Sequence, residues 1–397
     1  MQLACNAKRS RFIGLSLVIV SLWVCGTKNS SAASFVEKLQ KDSSHHVHTN
    51  WCVYQDIPWH EGYWTLYNNE RLTGKRVALI VHGHNLDSIL YAFVNYGMLK
   101  VFHHFNVPHI SLYKPAPHYW YGLDTLVNLG RFLSSEVRMP GHPDQRRYEQ
   151  VVGYAYSSVG TLKEISKRFA SEASSFLKDA KSVDIFAHSM GGLVTRWALE
   201  KEGLGAKYKN LVTLASPHQG VPVNLKAVFG HFVPDDFIST LDMTTTTTSP
   251  DDPSRSAFMK ELNDPVNPYF DTANYFTLVG NRFADLTNSK PPAFKPAPNS
   301  SSNAGSIIQK MYDMMFNNTV LSDGLVPTYS AASIVLKTKS KAWADDPSHK
   351  HTLPLNHLTI TGSANTLNGV CPNSDATYQC MMTSVLRKWI DSFPVEP

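Results

Sequence analysis

The sequence predicts an α/β fold with a mostly parallel central sheet and helices on both faces. Two observations carry this. Short aliphatic runs such as RVALIV (76–81), SVDIFA (182–187) and NLVTL (210–214) are nearly continuous in apolar character, as in strands buried on both faces. Helical patterns alternate with them, and strand–helix–strand alternation builds a parallel sheet. At 397 residues the chain can form one large domain with insertions or two smaller ones.

The N-terminus has the layout of a secretory signal. Lys8, Arg9 and Arg11 precede an apolar run from Phe12 to Val24, and Ser31-Ala32-Ala33 supplies the small residues of a cleavage site. The run is too short to span a bilayer comfortably. Residues 1–33 are therefore expected to be removed, and the protein to be secreted or periplasmic. A lipoprotein anchor at Cys25 ranks second, because Trp23 and Val24 stand where such signals want small residues. Residues 34–75 form an N-terminal segment, and 76–397 the main domain.

The formal net charge is +5. Residues 1–33 hold four of the basic residues and no acidic ones, so their loss leaves 33 basic against 32 acidic, a charge of +1. Nothing in that balance argues for nucleic acid as a partner. Cys52, Cys371 and Cys380 remain of five cysteines. In an oxidising compartment Cys371 and Cys380 could close a small loop. No CxxC or Cys/His spacing suits zinc, and His45, His46 and His48 read as a solvated arm.

Taken in order, strands are expected at 76–81, 151–156, 182–187, 210–214, 275–279 and 334–336. Between 161 and 180 the positions Leu162, Ile165, Phe169, Ala173, Phe176 and Leu177 form an apolar stripe at the helical period. A second helix is expected from Gly191 to about Glu202, and a last one from Tyr378 to Phe393. Three regions interrupt the alternation. Residues 113–149 are rich in Pro, His and Tyr and contain Tyr119-Trp120-Tyr121. Residues 221–255 contain a threonine run, and 290–305 are rich in Pro, Ser and Asn. They read as solvated insertions, and the first two, near C-terminal ends of strands, as caps over a site.

The chemistry centres on VDIFAHSMGGLVTRW (183–197), where an apolar strand runs through Ala187-His188-Ser189-Met190-Gly191 straight into a helix. A tight strand–turn–helix presents a serine above the sheet edge and tolerates only small flanking residues. Ser189 is the candidate nucleophile. The helix start turns free N–H groups toward a developing oxyanion, and the Met190 N–H is one candidate donor. His82-Gly83-His84-Asn85 ends an upstream strand, where a second donor is needed. His84 is the choice, with Asn85 the alternative.

A serine hydroxyl needs a base, and the base needs an acid to fix its tautomer. Asp323, in Ser322-Asp323-Gly324, is the preferred acid, ahead of Asp285, Asp345 and Asp346. His357, in Leu355-Asn356-His357-Leu358, is the preferred base, ahead of His351 and His349. His218 lies too early for the usual order and reads as a pocket or loop residue. His188 reads as a packed turn residue, since sequence neighbours in a tight turn point different ways.

The motifs VALIVHGHN, FAHSMGGLVTR, LVTLASPHQGVP, SAFMKELN, DGLVP and NHL appear in one order between Arg76 and Leu358. In this the chain resembles the lipase and esterase branch of the α/β-hydrolases, including bacterial triacylglycerol lipases and inositol-deacylase-like serine esterases. The resemblance implies an α/β-hydrolase fold with Ser189 as nucleophile, Asp323 as acid, His357 as base, and backbone donors at Met190 and His84. It implies a lipid or other ester substrate, transient contact with a lipid surface, and no cofactor or metal. The same residues could serve a thioesterase, amidase or acyltransferase, or survive in a binding module. The 113–149 region is longer than in minimal lipases, and the segment after Gly220 matches no familiar lid.

Overall fold

The computed structural model describes residues 63–66, 72–84, 126–156, 160–221, 242–243, 256–264, 273–281, 321–332, 348–355, 357, 359–361 and 378–394. Nine strands are formed among them: β1 (Tyr63–Leu66), β2 (Arg76–Val81), β3 (Arg138–Met139), β4 (His142–Arg146), β5 (Gln150–Ala155), β6 (Ser182–His188), β7 (Tyr208–Leu214), β8 (Asn274–Gly280) and β9 (Lys350–Leu353). The helices are α1 (Val127–Arg131), which widens into a π-helical turn at Phe132–Glu136, α2 (Leu162–Phe176), α3 (Met190–Glu200), α4 (Ala257–Leu262), α5 (Thr328–Ala332) and α6 (Tyr378–Ser392).

Seven strands form one sheet in the order β1-β5-β2-β6-β7-β8-β9. β1 runs antiparallel to β5, and the other neighbours are parallel. The side chains of a strand alternate between faces, and the core divides accordingly. Val77, Leu79 and Val81 of β2, with Val183, Ile185 and Ala187 of β6, pack with α2 and α3. Ala78, Ile80 and Phe186 face the opposite layer, built from α1 and α6 through Leu129, Leu386, Trp389 and Ile390. Both faces of the sheet are covered, which is why these strands read as continuous apolar runs.

A polar ladder sets the register where the strands begin. Asp184 and Asn210 are register partners on β6 and β7, as are Asn210 and Asn274 on β7 and β8. Asn210 Nδ2 donates to Asp184 Oδ1 at 2.6 Å, and Asn274 Nδ2 to Asn210 Oδ1 at 3.0 Å. The Tyr148 hydroxyl donates to Asp184 Oδ2 at 2.9 Å. A one-residue slip would turn every buried side chain to the wrong face and also unpair these groups.

The described elements agree with the expected ones within a few residues for β2, β5, β6, β7, β8, α2, α3 and α6. Four features differ. β1, the β3–β4 hairpin and β9 had no clear periodic signal. β9 is a short edge strand whose His351 and Thr352 are exposed, so its side chains are not constrained to be apolar. Within 113–149, residues 126–137 are a layer of the core rather than an added cap. Leu126, Leu129, Phe132, Leu133 and Val137 are all at or below 1% exposure. The Pro, His and Tyr content masked an apolar stretch that packs on the sheet. Residues 1–33, Cys25, Cys52, Cys371, the Tyr119–Tyr121 cluster, 290–305 and the strand expected at 334–336 lie outside the described residues. Cys380 falls in the first turn of α6. Among the described residues, no helix is long and apolar enough to cross a membrane.

Candidate functional site

The sheet order brings the site together. Of the parallel strands the chain lays down β2 first, adds β5 on one side, then crosses to β6 on the other. Ligands bind outside the carboxyl ends of strands at such a switch point. Val81 is opposite Ala187 across β2 and β6, so His82-Gly83 and His188-Ser189 leave the sheet side by side.

Ser189 makes the turn from β6 into α3 with φ 52° and ψ −127°. An L-residue at positive φ carries a penalty that the surroundings must hold in place. Neighbouring glycines make the turn possible. A Cβ on Gly191 would lie 2.2 Å from the His82 carbonyl oxygen, and one on Gly192 2.0 Å from Ser216 Oγ. A Cβ on Gly83 would lie 2.7 Å from Ser189 Cβ. The end of β2, the turn and the end of β7 are thus packed at backbone contact. The Ser189 N–H donates to the Leu214 carbonyl at 2.9 Å.

Asp323 and His357 come from the far side of the sheet. Asp323 lies against the end of β8, where a Cβ on Gly280 would be 2.6 Å from its own Cβ. Its carboxylate Oδ1 accepts the N–H groups of Leu325 (2.9 Å) and Val326 (2.7 Å), a local turn that Gly324 permits at φ +104°. The free oxygen, Oδ2, accepts from His357 Nδ1 at 2.7 Å. With Nδ1 protonated, His357 Nε2 accepts from the Ser189 hydroxyl at 2.9 Å. The His357 N–H also donates to the Asp323 carbonyl at 2.9 Å. Ser189, Asp323 and His357 are 8%, 1% and 4% exposed. They form one buried hydrogen-bonded chain, in the geometry that lets a hydroxyl pass its proton to an oriented imidazole.

The backbone groups named for the oxyanion lie at the same edge. Met190 is the first residue of α3, where N–H groups have no intrahelical acceptor. His84 follows Gly83 directly. The His82 side chain sets the peptide between them. His82 Nε2 accepts from the Tyr156 N–H at 3.0 Å, so its Nδ1 carries the proton and donates to the Gly83 carbonyl at 2.6 Å. The Tyr156 hydroxyl donates to the His82 carbonyl at 2.9 Å, and the two rings stack at 4.3 Å. Burial brings the His82 pKa down to about 4, consistent with a neutral ring. Sequence reasoning did not find these roles for His82 and Tyr156. Nothing in the sequence says that Tyr156, one residue past β5, reaches the end of β2.

The alternatives are separated in space. His351 is exposed on β9, and His349 stacks on Phe276 at 4.5 Å. Asn85, Asp285, Asp345 and Asp346 lie outside the described residues. His218 holds a loop: its Nε2 shares a hydrogen bond with Thr213 Oγ1 at 3.0 Å, and its carbonyl accepts from Asn263 Nδ2 at 3.0 Å. His188 is buried and donates from Nε2 to the His357 carbonyl at 2.9 Å. Among the described residues, no group of three or more His, Cys, Asp or Glu could hold a metal ion.

The mostly parallel sheet and the strand–turn–helix at Ser189 define an α/β-hydrolase fold. Within that class, residues 156–235 match the family model described as a PGAP1-like alpha/beta domain. That span contains FAHSMGGLVTR and LVTLASPHQGVP, two of the motifs that carry the lipase and esterase resemblance. It includes Ser189 and ends before Asp323 and His357. Among solved structures, the mature form of Bacillus licheniformis lipase BlEst2 is 14% identical, over 77% of this chain and 94% of that one, with a TM-score of 0.42. Aspergillus fumigatus lipase B is 14% identical over 81% and 62%, with a TM-score of 0.32. The lin2722 gene product of Listeria innocua is 11% identical over 82% and 96%, with a TM-score of 0.32. No curated protein sequence matches the chain.

Proposed function

We propose that this protein is a secreted serine hydrolase that cleaves carboxylic esters, with lipids as the substrate class. The observation that carries the reading is the buried chain from Asp323 through His357 to Ser189, ending on a serine at the mouth of a strand–turn–helix. Ser189 Oγ attacks the ester carbonyl while His357 Nε2 takes its proton. The Met190 and His84 N–H groups receive the oxyanion. His357 returns the proton to the leaving alcohol, giving an acyl-enzyme. Water then attacks, with His357 again as base, and the acid leaves. Asp323 holds the ring and balances the imidazolium charge. The mechanism calls for no cofactor. Secretion is supported by the layout of residues 1–33, and the apolar acyl substrate by the motif resemblance.

The test is labelling by a fluorophosphonate together with hydrolysis of p-nitrophenyl esters of increasing chain length. Ser189→Ala should abolish both while leaving the circular dichroism spectrum unchanged. Asp323→Asn and His357→Ala should each lower kcat by roughly 10⁴-fold. A labelled, active Ser189→Ala protein would overturn the assignment. Faster turnover of thioesters or amides than of esters would move the substrate class while keeping the residues.

A further inference from the structure

His188 is the last residue of β6, immediately before the turn, and the proposed reaction makes no use of its side chain. The residue is 5% exposed. Its Nε2 lies 2.9 Å from the His357 carbonyl oxygen, across 169 positions of sequence. A carbonyl can only accept, so Nε2 carries the proton. On the other edge of the ring, Nδ1 abuts Gly83, where a Cβ would lie 3.1 Å away. The imidazole is therefore wedged between the end of β2 and the segment carrying His357.

That segment needs an anchor. His357 lies between β9 and a single 3₁₀ turn at Thr359–Thr361, outside every strand pairing. Its N–H donates to the Asp323 carbonyl and its C=O accepts from His188. Its ring spans Asp323 Oδ2 and Ser189 Oγ. The anchor comes from residue 188 and the reacting hydroxyl from residue 189, so a single rigid strand sets both.

We propose that His188 is a positioning residue: its neutral ring holds the backbone of His357 in register with Ser189 through the Nε2–H to carbonyl bond, and places no second charge beside the imidazolium that forms there. The proposal rests on the functional reading above. The rings of His188 and His357 are 4.7 Å apart between centroids, tilted by 46°. A cationic donor at that distance would oppose protonation of His357. Burial holds the His188 ring well below the usual histidine range, the charges of His357 and His82 add to this, and the hydrogen bond to the His357 carbonyl opposes it without reversing it. A neutral N–H donor of this reach fits both demands, whereas Lys or Arg fits only one.

The test compares His188→Phe, which fills the space without a donor, with His188→Gln, whose amide can bring an N–H to the Nε2 position. The substrate is p-nitrophenyl butyrate. His188→Phe should lower kcat by about 10²-fold, the scale of a small misplacement of a reacting group, with little change in KM. His188→Gln should recover at least about tenfold of that loss. Imidazole ¹⁵N spectra of the wild-type protein at pH 7 should show His188 as the neutral Nε2–H tautomer. Unchanged kcat in His188→Phe would overturn the proposal, as would equal losses in both variants or an Nδ1–H tautomer. If His188→Phe does not fold, the wild-type tautomer and the kcat of His188→Gln decide the matter. A wild type that fluorophosphonate fails to label would overturn the serine hydrolase reading. A labelled wild type with any of the contrary results above would overturn the role of His188 alone.

Discussion

Ser189 pays for its position in backbone strain. At φ 52° and ψ −127° an L-side chain costs about 1–3 kcal/mol, a cost that glycine avoids. In most elements replacing Ala by Gly destabilises, because glycine has more freedom to lose. Here the sign should reverse: Ser189→Gly should be more stable than Ser189→Ala by about 1 kcal/mol, although both lack the hydroxyl. Urea denaturation of the two variants measures the difference. A less stable glycine variant would mean that the turn is not held under strain. The same close packing makes Gly83, Gly191 and Gly192 intolerant of any side chain, since each would meet backbone or a short side chain within 3 Å.

At the scale of elements, α2 and α3 do different work. α3 is buried along its whole length, from Met190 to Glu200, and it carries an ion pair inside the protein. Arg196 Nε donates to Glu200 Oε1 at 2.7 Å, and the guanidinium also reaches Asn263 Oδ1 and the Leu262 carbonyl. Breaking such a pair leaves an uncompensated buried charge, so this pair fixes the helix behind Ser189 against α4. α2 lies nearer the surface and has a strong start signal. Thr161 accepts from the Glu164 N–H at 3.2 Å, while Glu164 Oε2 accepts from the Thr161 N–H at 3.1 Å. Thr161-x-x-Glu164 is thus a reciprocal capping box. Thr161→Ala should lower stability by about 1 kcal/mol and leave esterase kcat unchanged. Thermal denaturation with a parallel rate assay checks both. No shift in melting temperature would show that packing, not the cap, sets where α2 begins.

For the whole molecule, three buried imidazoles make stability depend on pH. His82, His188 and His218 all lie below the ordinary value of 6.5, with burial the largest cause in each. The unfolded chain binds protons at these sites that the native protein refuses. The stability they contribute is fully present above about pH 6.5 and is lost as pH falls toward the folded value, about 4 for His82. His82 alone accounts for about 3 kcal/mol over that window, at about 1.4 kcal/mol per pH unit per proton. Glu136 and Asp242 are shifted upward by burial and act in the opposite direction, but they are only partly buried. Urea midpoints should therefore fall between pH 7 and pH 4.5. A flat or rising profile would contradict the neutral, buried state of these rings.

The sequence by itself determined the local features of this protein. Strands buried on both faces must be apolar throughout, so β2, β6, β7 and β8 could be read directly. The turn at Ser189 was legible because a strand, a serine with Ala187 and Gly191 two positions to either side, and a helix follow one another without a gap. The layer at 126–137 was not legible, because its packing on the sheet depends on partners distant in the chain. Nor was β9, an edge strand with polar, exposed positions. At the site, motif order named Asp323 and His357, but residue types alone left four aspartates and three histidines open. Only the tertiary structure decided which carboxylate meets which imidazole, because Gly280 admits Asp323 to the end of β8 and β9 delivers His357 beside it. The supporting roles of His82, Tyr156 and His188 also belong to the tertiary structure. Each is a hydrogen bond across 74 or more residues, and hydrogen bonds between distant segments leave no periodicity in a sequence.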